Sequence, residues 1–463
     1  MFRSAPIRPP SPVRSGITVS TWEGCFANAF SVITDVPYLT AFALSLSATN
    51  KVIAFIGGLT FLARVFQLVG AFLVERYQNR KRISLIFGAL NRLLWIVPAL
   101  TTFFLPLPPK LQLSLFSIIV FVSSVSGMIL NNSWMSWAGD LIPSAVRPKY
   151  FGFRLSVMAM VSVAATLTTT TVLDVFRDPE LNLPPQHGFA VMFLVASAFG
   201  AVTIFLFKEQ YEPPFKPTPA ADPREMLLAP LRNALFRPLL LFFLIWNAGT
   251  GIAAVFYTAQ MITVLKMSYL QIGFYTIIIT LGRVIMNPVW GSIIDRFGAV
   301  AVLKLSAVIV GLTPFLWLFA TPTFLLPVWI DACVSAVAMV GLELATMDVQ
   351  FAESPKQGRT YYFAWYGLTS GIGFFAASLL GGTVADLISG SFITIFTLPR
   401  YTLTLGGYHW IFLAAILIRF TAITTLIRMR PNAAEHPILL AAHFGRKIVE
   451  RLYNLSDATG FFK

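Results

Sequence analysis

Charge is what this chain has least of. Asp, Glu, Lys and Arg make up 12% of its 463 residues, about half the roughly 25% usual in soluble domains. That shortage excludes a string of two or three soluble domains, although the length would hold them. Cysteine is scarce too: Cys25 and Cys333 both fall in apolar runs, form no CxxC pair and exclude a disulfide framework. Of the four histidines, His187 and His409 lie near loops and His436 and His443 in the C-terminal tail. Nothing there suggests a metal site or His-based catalysis. No nucleophile–base motif and no phosphate loop appears, so neither an enzyme nor a cofactor is expected. The opening MFRSAPIRPPSPVRSG carries arginines but no apolar core or cleavage site, and reads as a cytoplasmic tail, not a signal peptide.

What the chain does have is apolar length. Apolar residues are 56% of the total and mean hydropathy is +0.74. Stretches of about 20 residues recur from end to end, each able to cross a hydrocarbon core of about 30 Å as a helix. The alternation of a β-barrel is missing. The expected fold class is an all-α polytopic membrane protein with twelve spans. Spans 1 to 6 are placed at 21–46, 51–74, 83–105, 112–138, 151–175 and 188–207. Spans 7 to 12 follow at 238–262, 269–293, 300–320, 324–347, 361–388 and 406–427.

The basic residues orient these spans. Of 34 Lys and Arg, only Lys51, Lys110, Arg177, Lys266 and Arg400 fall in outer loops if the N-terminus is inside. Arg64, Arg92, Arg283 and Arg419 lie within spans and all the others are inner, so both termini are expected in the cytoplasm. The formal charge of +14 is then topology and contact with anionic lipid, not nucleic-acid binding. The site of residence would be a plasma or bacterial inner membrane, and the expected state is a monomer.

Five segments follow: a tail at 1–20, six spans at 21–207, a linker at 208–237, six spans at 238–430 and a tail at 431–463. The linker, KEQYEPPFKPTPAADPREMLLAPLRNALFR, is proline-rich and then briefly amphipathic, which fits a helix lying on the membrane surface. The tail stretch HPILLAAHFGRKIVERLYNL reads the same way. The sequons at 131–133 and 454–456 lie in or on the cytoplasmic side and are discounted.

The two halves repeat. Shifted by 220, AFLVERYQNRKR (71–82) lies on GSIIDRFGAVAV (291–302), matching Glu75 with Asp295, Arg76 with Arg296, Thr60 with Thr280 and Gln67 with Asn287. Shifted by 212, PSAVRPKYFG (143–152) lies on PKQGRTYYFA (355–364), and further on Asp174 meets Asp386. Three matches in one order indicate a duplicated six-helix unit.

GSIIDRFG resembles the Gly-x-x-x-Asp-Arg-x-Gly loop between the second and third helices of each half in the major facilitator superfamily. DLIPSAVRPKYFGFR (140–154) and ESPKQGRTYYFAWY resemble that family's loops after the fourth helix of each half. The resemblance covers roughly residues 20–430 and implies a transporter with its substrate site between the halves. It also implies that Glu75, Arg76, Asp140, Arg147, Asp295, Arg296 and Arg359 form charge networks that close the cytoplasmic side in one state; the alternative is that each acid–Arg pair only marks a helix end. There are departures. The first loop has Glu75 for Asp and Gln78 for the second Gly, and the basic run Arg80, Lys81, Arg82 has no counterpart in the second. Span 4 lacks the family's proton-linked arginine, and span 5 lacks the Gly-Pro element of drug antiporters.

Polar groups inside the spans cost several kcal/mol unless partnered or wetted. Thr60, Arg64 and Gln67 on span 2, and Thr276, Thr280, Arg283 and Asn287 on span 8, are spaced to share one helix face. Asn28, Ser31, Asp35 and Tyr38 do so on span 1, with Pro37 between the last two. Asn247, Thr250 and Tyr257 lie on span 7. Asn131 on span 4 matches Glu343 on span 10 at the 212 shift. The candidate cavity set is Asn28, Asp35, Tyr38, Arg64, Gln67, Asn131, Asn247, Tyr257, Arg283, Asn287 and Glu343, with Asp35 and Glu343 as proton carriers. The competing reading of the arginines is structural pairing with backbone carbonyls, and of Asp35 a permanent pair with Arg64. Arg92 and Arg419 are expected to be structural. The function this set suggests is secondary transport of a small anionic or zwitterionic solute, coupled to protons. A non-transporting sensor, scaffold or lipid-handling protein on the same fold is the alternative.

Overall fold

Pro37 decides how the first span is built. In the computed structural model, which describes residues 11–426 apart from 106, 144–145, 215–222, 235, 355–358, 389 and 399–400, the span is split into Ser11–Ile33 and Val36–Ser45. Proline has no amide hydrogen to give the preceding turn, so it sits where none is needed, in the first turn of the second piece. Asp35 caps that piece in extended backbone, at φ −79° and ψ 159°. Because of this break, 11 helices among the described residues are long and apolar enough to cross a membrane, and span 1 is not among them.

The other spans fall where the apolar runs place them: Asn50–Tyr77, Arg80–Phe104, Pro109–Leu141, Tyr150–Arg177, Pro185–Glu209, Phe236–Thr263, Tyr269–Phe297, Ala299–Phe319, Leu326–Glu353, Tyr361–Leu387 and Tyr408–Thr425. Two more are interrupted. Span 2 tightens into a 3-10 turn at Ala63–Phe66. Span 3 breaks between Leu93 and Ile96, where the ring of Pro98 would meet the carbonyl one turn back. The linker forms a short helix at Pro223–Arg232.

One element departs from the all-α expectation. The loop before span 12 is a hairpin of β1 (Phe392–Leu398) and β2 (Tyr401–Gly406), antiparallel from Phe392↔Gly406 to Leu398↔Tyr401. FITIFTL and YTLTLG are built of β-branched and aromatic residues, which favour strands, and span 12 accordingly starts at Tyr408 rather than 406.

Contacts divide the chain into two compact units. The first holds Met1–Ala220, Ala254–Phe274 and Phe374–Asp386; the second holds Ala221–Ala253, Tyr275–Gly373 and Leu387–Lys463. These boundaries differ from the repeat boundary, since parts of spans 7, 8 and 11 group with the first unit. The first unit is filled by interlocked rings: Phe42 meets Phe116 at 4.7 Å and Phe193 at 5.2 Å, both edge-on. In the second, Trp290, Phe236, Phe242 and Phe243 are buried in one cluster with residues of spans 8, 9 and 10.

Candidate functional site

Spans 8 and 10 approach closely because Gly282 has no side chain; a methyl there would fall 2.4 Å from Cβ of Ala336. That approach lets the next residue reach across. Arg283 Nη2 donates to Glu343 Oε1 at 2.7 Å. The two side chains remain 46% and 51% exposed, which sets them apart from the buried ion pairs elsewhere in the chain. Arg283 stands 14 residues from Tyr269, about 21 Å along a helix rising 1.5 Å per residue, so the pair sits at mid-span. Asn287 is exposed one turn on, and Thr280 returns its hydroxyl to the carbonyl of Thr276. Asn247 gives its amide hydrogens to the carbonyl of Phe243 and to Ser370 Oγ.

In the first unit the polar stripes divide. Asp35 is exposed, with one carboxylate oxygen accepting the Val36 amide at 2.8 Å. Arg64 lies in the 3-10 turn of span 2, its guanidinium 4.2 Å from the centre of the Phe61 ring. Gln67 points its amide at Met128 Sδ, 3.6 Å away, and Asn131 is exposed. Asn28 donates to the carbonyl of Met158 and to Ser162 Oγ at 2.8 and 2.6 Å, a span 1–span 5 tie resembling that of Asn247 with span 11. Tyr38 is buried against Thr166, and Tyr257 is half-buried. The structure therefore joins Arg283 to Glu343, leaves Asp35, Asn131 and Asn287 exposed, and turns Asn28, Tyr38 and Asn247 towards neighbouring helices.

The loop charges behave differently in the two copies. Arg80 is fully buried and binds Asp140 at 2.5 Å. It also donates to the carbonyls of Ser136 and Pro213 and lies 3.6 Å from Glu212. The start of the linker is thereby pinned to spans 3 and 4. Glu75, Arg76, Asp295 and Arg296 are exposed, and among the described residues none of the four forms an ion pair. The side chains of Arg147 and Arg359 lie outside the described set, as do Arg400 and the amphipathic tail.

Two buried groups escaped the sequence reading. Glu23, 2% exposed, receives Arg92 at 3.1 Å and Arg154 at 3.4 Å. Arg154 also lies 4.2 Å over the Trp134 ring, and Arg92 donates to Thr203. Glu23 stands at the very start of the expected span 1, where a charge looks like a boundary. Asp331, 3% exposed, accepts the Tyr275 hydroxyl at 2.6 Å and that of Ser335 at 3.3 Å. It too sits near a span end, and nothing in the sequence announces its tyrosine partner. No group of three or more His, Cys, Asp and Glu gathers among the described residues.

The Major Facilitator Superfamily model matches residues 24–347 and 248–458. The chain belongs to that superfamily, a family of transporters, and is an integral multi-pass membrane protein. Solved structures share the fold. The nucleoside transporter NupG aligns with a TM-score of 0.63 at 12% identity, over 91% of this chain and 99% of its own. A D-xylose-proton symporter gives 0.63 at 15%, over 91% and 98%. The POT family transporter PepTSo gives 0.63 at 14%, over 95% and 99%. No curated protein sequence matches.

Proposed function

We propose that this protein is a secondary active transporter that moves a small anionic or zwitterionic solute by alternating access, driven by protons, with both termini in the cytoplasm. The observation that carries this reading is the Arg283–Glu343 pair, half-exposed in the middle of two membrane spans. An ion pair exposed to hydrocarbon costs several kcal/mol, whereas one lining a water-filled path is accessible to solute and to protons. Arg283 would bind a carboxylate or phosphate on the solute, taking it in exchange for Glu343. The released Glu343 would then accept a proton. Asp35, exposed at the break in span 1, is a second carboxylate able to load and release a proton as its surroundings change. Proton coupling also draws support from the D-xylose-proton symporter on the same fold.

A thermal-shift screen of the purified protein tests the solute class. Pools of anionic and zwitterionic metabolites, together with nucleosides and pentoses, are compared. A ligand at a hundred times its Kd stabilises by about 2.7 kcal/mol. An anionic or zwitterionic pool should raise the midpoint of the wild type and not that of Arg283→Ala. Stabilisation by neutral sugars alone, unchanged in Arg283→Ala, would contradict the proposed solute class.

A further inference from the structure

Two aspartates related by the internal repeat perform the same task at the span ends remote from the linker. Asp174, near the end of span 5, accepts the amide hydrogens of Tyr269 and Leu270 at 2.7 and 2.8 Å. Asp386, near the end of span 11, accepts those of Asn50 and Lys51 at 2.9 and 3.1 Å. In each case both carboxylate oxygens are used, one per N–H, on the first turn of span 8 or span 2. A shift of 212 relates the two acids, and a shift of 219 relates the two pairs of amides. All of these residues lie in the first contact unit.

The packing beneath each carboxylate is duplicated as well. One turn before Asp386, a methyl on Gly382 would fall 2.7 Å from Cβ of Ala54 and 2.8 Å from Cα of Lys51. Ser378, one turn earlier, donates to the carbonyl of Ala54 at 2.8 Å. The equivalents of Gly382 and Ser378 at the 212 shift are Thr170 and Thr166. Those two face Gly273, where a methyl would fall 2.9 Å from Thr170 Cγ2 and 3.3 Å from Thr166 Cγ2. Gly273 and Ala54 correspond at the 219 shift. Each contact therefore has one missing side chain, on opposite partners, which brings the helices close enough for the carboxylate to reach the helix start. On span 5 Arg177 adds a third bond, donating to the carbonyl of Met267 at 2.8 Å.

We infer that Asp174 and Asp386 are twin latches of the outer gate, each holding a span of one repeat to a span of the other through the backbone amides of a helix start. This rests on the alternating-access reading and adds the residues that close its outer side. An ionised carboxylate on the free N–H groups of a helix start combines charge-assisted hydrogen bonds with the helix dipole. The donors are main-chain N–H groups fixed in the helix, so these bonds are made and broken by rigid movement of the helices. Two matched latches also make the outer side open at both contacts together.

The test is electron–electron distance measurement on spin labels at Glu180 and Thr323 for the outer side, and at Glu209 and Ala352 for the inner side, in a Cys25→Ser, Cys333→Ser background. Asp174→Ala and Asp386→Ala should each raise the outward-open to inward-open ratio about tenfold, the order of a charged hydrogen bond, and the double variant about a hundredfold. Asp174→Asn and Asp386→Asn keep the shape and should shift the ratio in the same direction, which covers an alanine variant that fails to fold. Gly382→Leu wedges the same contact with both carboxylates intact and serves as the control. Outer distances that lengthen with Gly382→Leu but in neither aspartate variant would overturn the latch alone. Distances that respond to no variant at either end would overturn the latch and the alternating-access reading together.

Discussion

Gln78 and Gly298 both step to positive φ at the end of spans 2 and 8, at φ 51° and ψ 20° in the first and φ 82° and ψ 151° in the second. They are equivalent at the 220 shift, so both copies of the loop pass through positive φ, Gln78 in the left-handed helical region and Gly298 in an extended conformation. A side chain in left-handed backbone costs about 1–2 kcal/mol, of which glycine's greater freedom in the unfolded chain takes back about half. Gln78→Gly is expected to raise the melting midpoint in detergent by about 1–2 °C. Gly298, at ψ 151°, lies where almost only glycine is found, and Gly298→Ala should destabilise by about 1–3 kcal/mol. A Gln78→Gly protein less stable than wild type would mean that the glutamine side chain makes a contact worth more than the strain.

The Glu23–Arg92–Arg154 cluster makes a second prediction. Removing one acid leaves two buried guanidinium groups with no counter-charge, and breaking a buried pair costs about 3–5 kcal/mol. Glu23→Ala should therefore be among the most destabilising single changes in the chain, and Glu23→Leu combined with Arg92→Leu should recover part of the loss. Thermal denaturation of the three proteins in one detergent measures it. Equal stability of Glu23→Ala and wild type would show that the cluster holds nothing together.

Asp331 and Tyr275 form a smaller version of the same problem. Asp331→Ala takes the carboxylate acceptor away from the Tyr275 hydroxyl, and a buried donor that loses its acceptor costs about 1–3 kcal/mol. Adding Tyr275→Phe to Asp331→Ala should restore some of that stability, because the stranded donor is gone. A double variant no more stable than Asp331→Ala alone would show that the hydroxyl finds another acceptor.

How much of this was legible beforehand depended on what kind of signal each feature leaves. Apolar runs are local, and they place spans 2 to 12 to within a few residues, whereas the helix of span 1 begins at Ser11, well before the expected 21. The stripe on span 8 is periodic, so Arg283 could be picked out, and Glu343 stood out as the span 10 counterpart of Asn131 in the repeat, but only the fold joins the two. Glu23, Arg154 and Asp331 left no such trace. Each is a single charge near a span end, and only the fold brings Arg92 or Tyr275 to it. The hairpin at 392–406 leaves only a weak trace in the sequence, because its two strands are short next to the long helices around them. Asp174 and Asp386 were paired by the 212 shift, but their partners are backbone amides, which carry no sequence mark at all.

The exposed state of Asp295 and Arg296 gives a fourth prediction. If the two close the inner side in one state of the cycle, their loss should favour the state with the inner side open. Asp295→Ala or Arg296→Ala is expected to increase labelling of cysteines placed along the inner halves of spans 8 and 10 by about tenfold, the order of one charged hydrogen bond, with little change in solute affinity. Unchanged labelling in both variants would make the pair an ordinary helix end.

Transport by carboxylate-coupled alternating access is tested most directly in proteoliposomes, by comparing solute accumulation under an imposed proton gradient with solute exchange at equal concentrations. Asp35→Asn and Glu343→Gln keep size and hydrogen bonding and remove titration. The account predicts that at least one of them loses accumulation and keeps exchange near the wild-type rate. Wild-type accumulation in both variants, or loss of accumulation and exchange together in each, would contradict it.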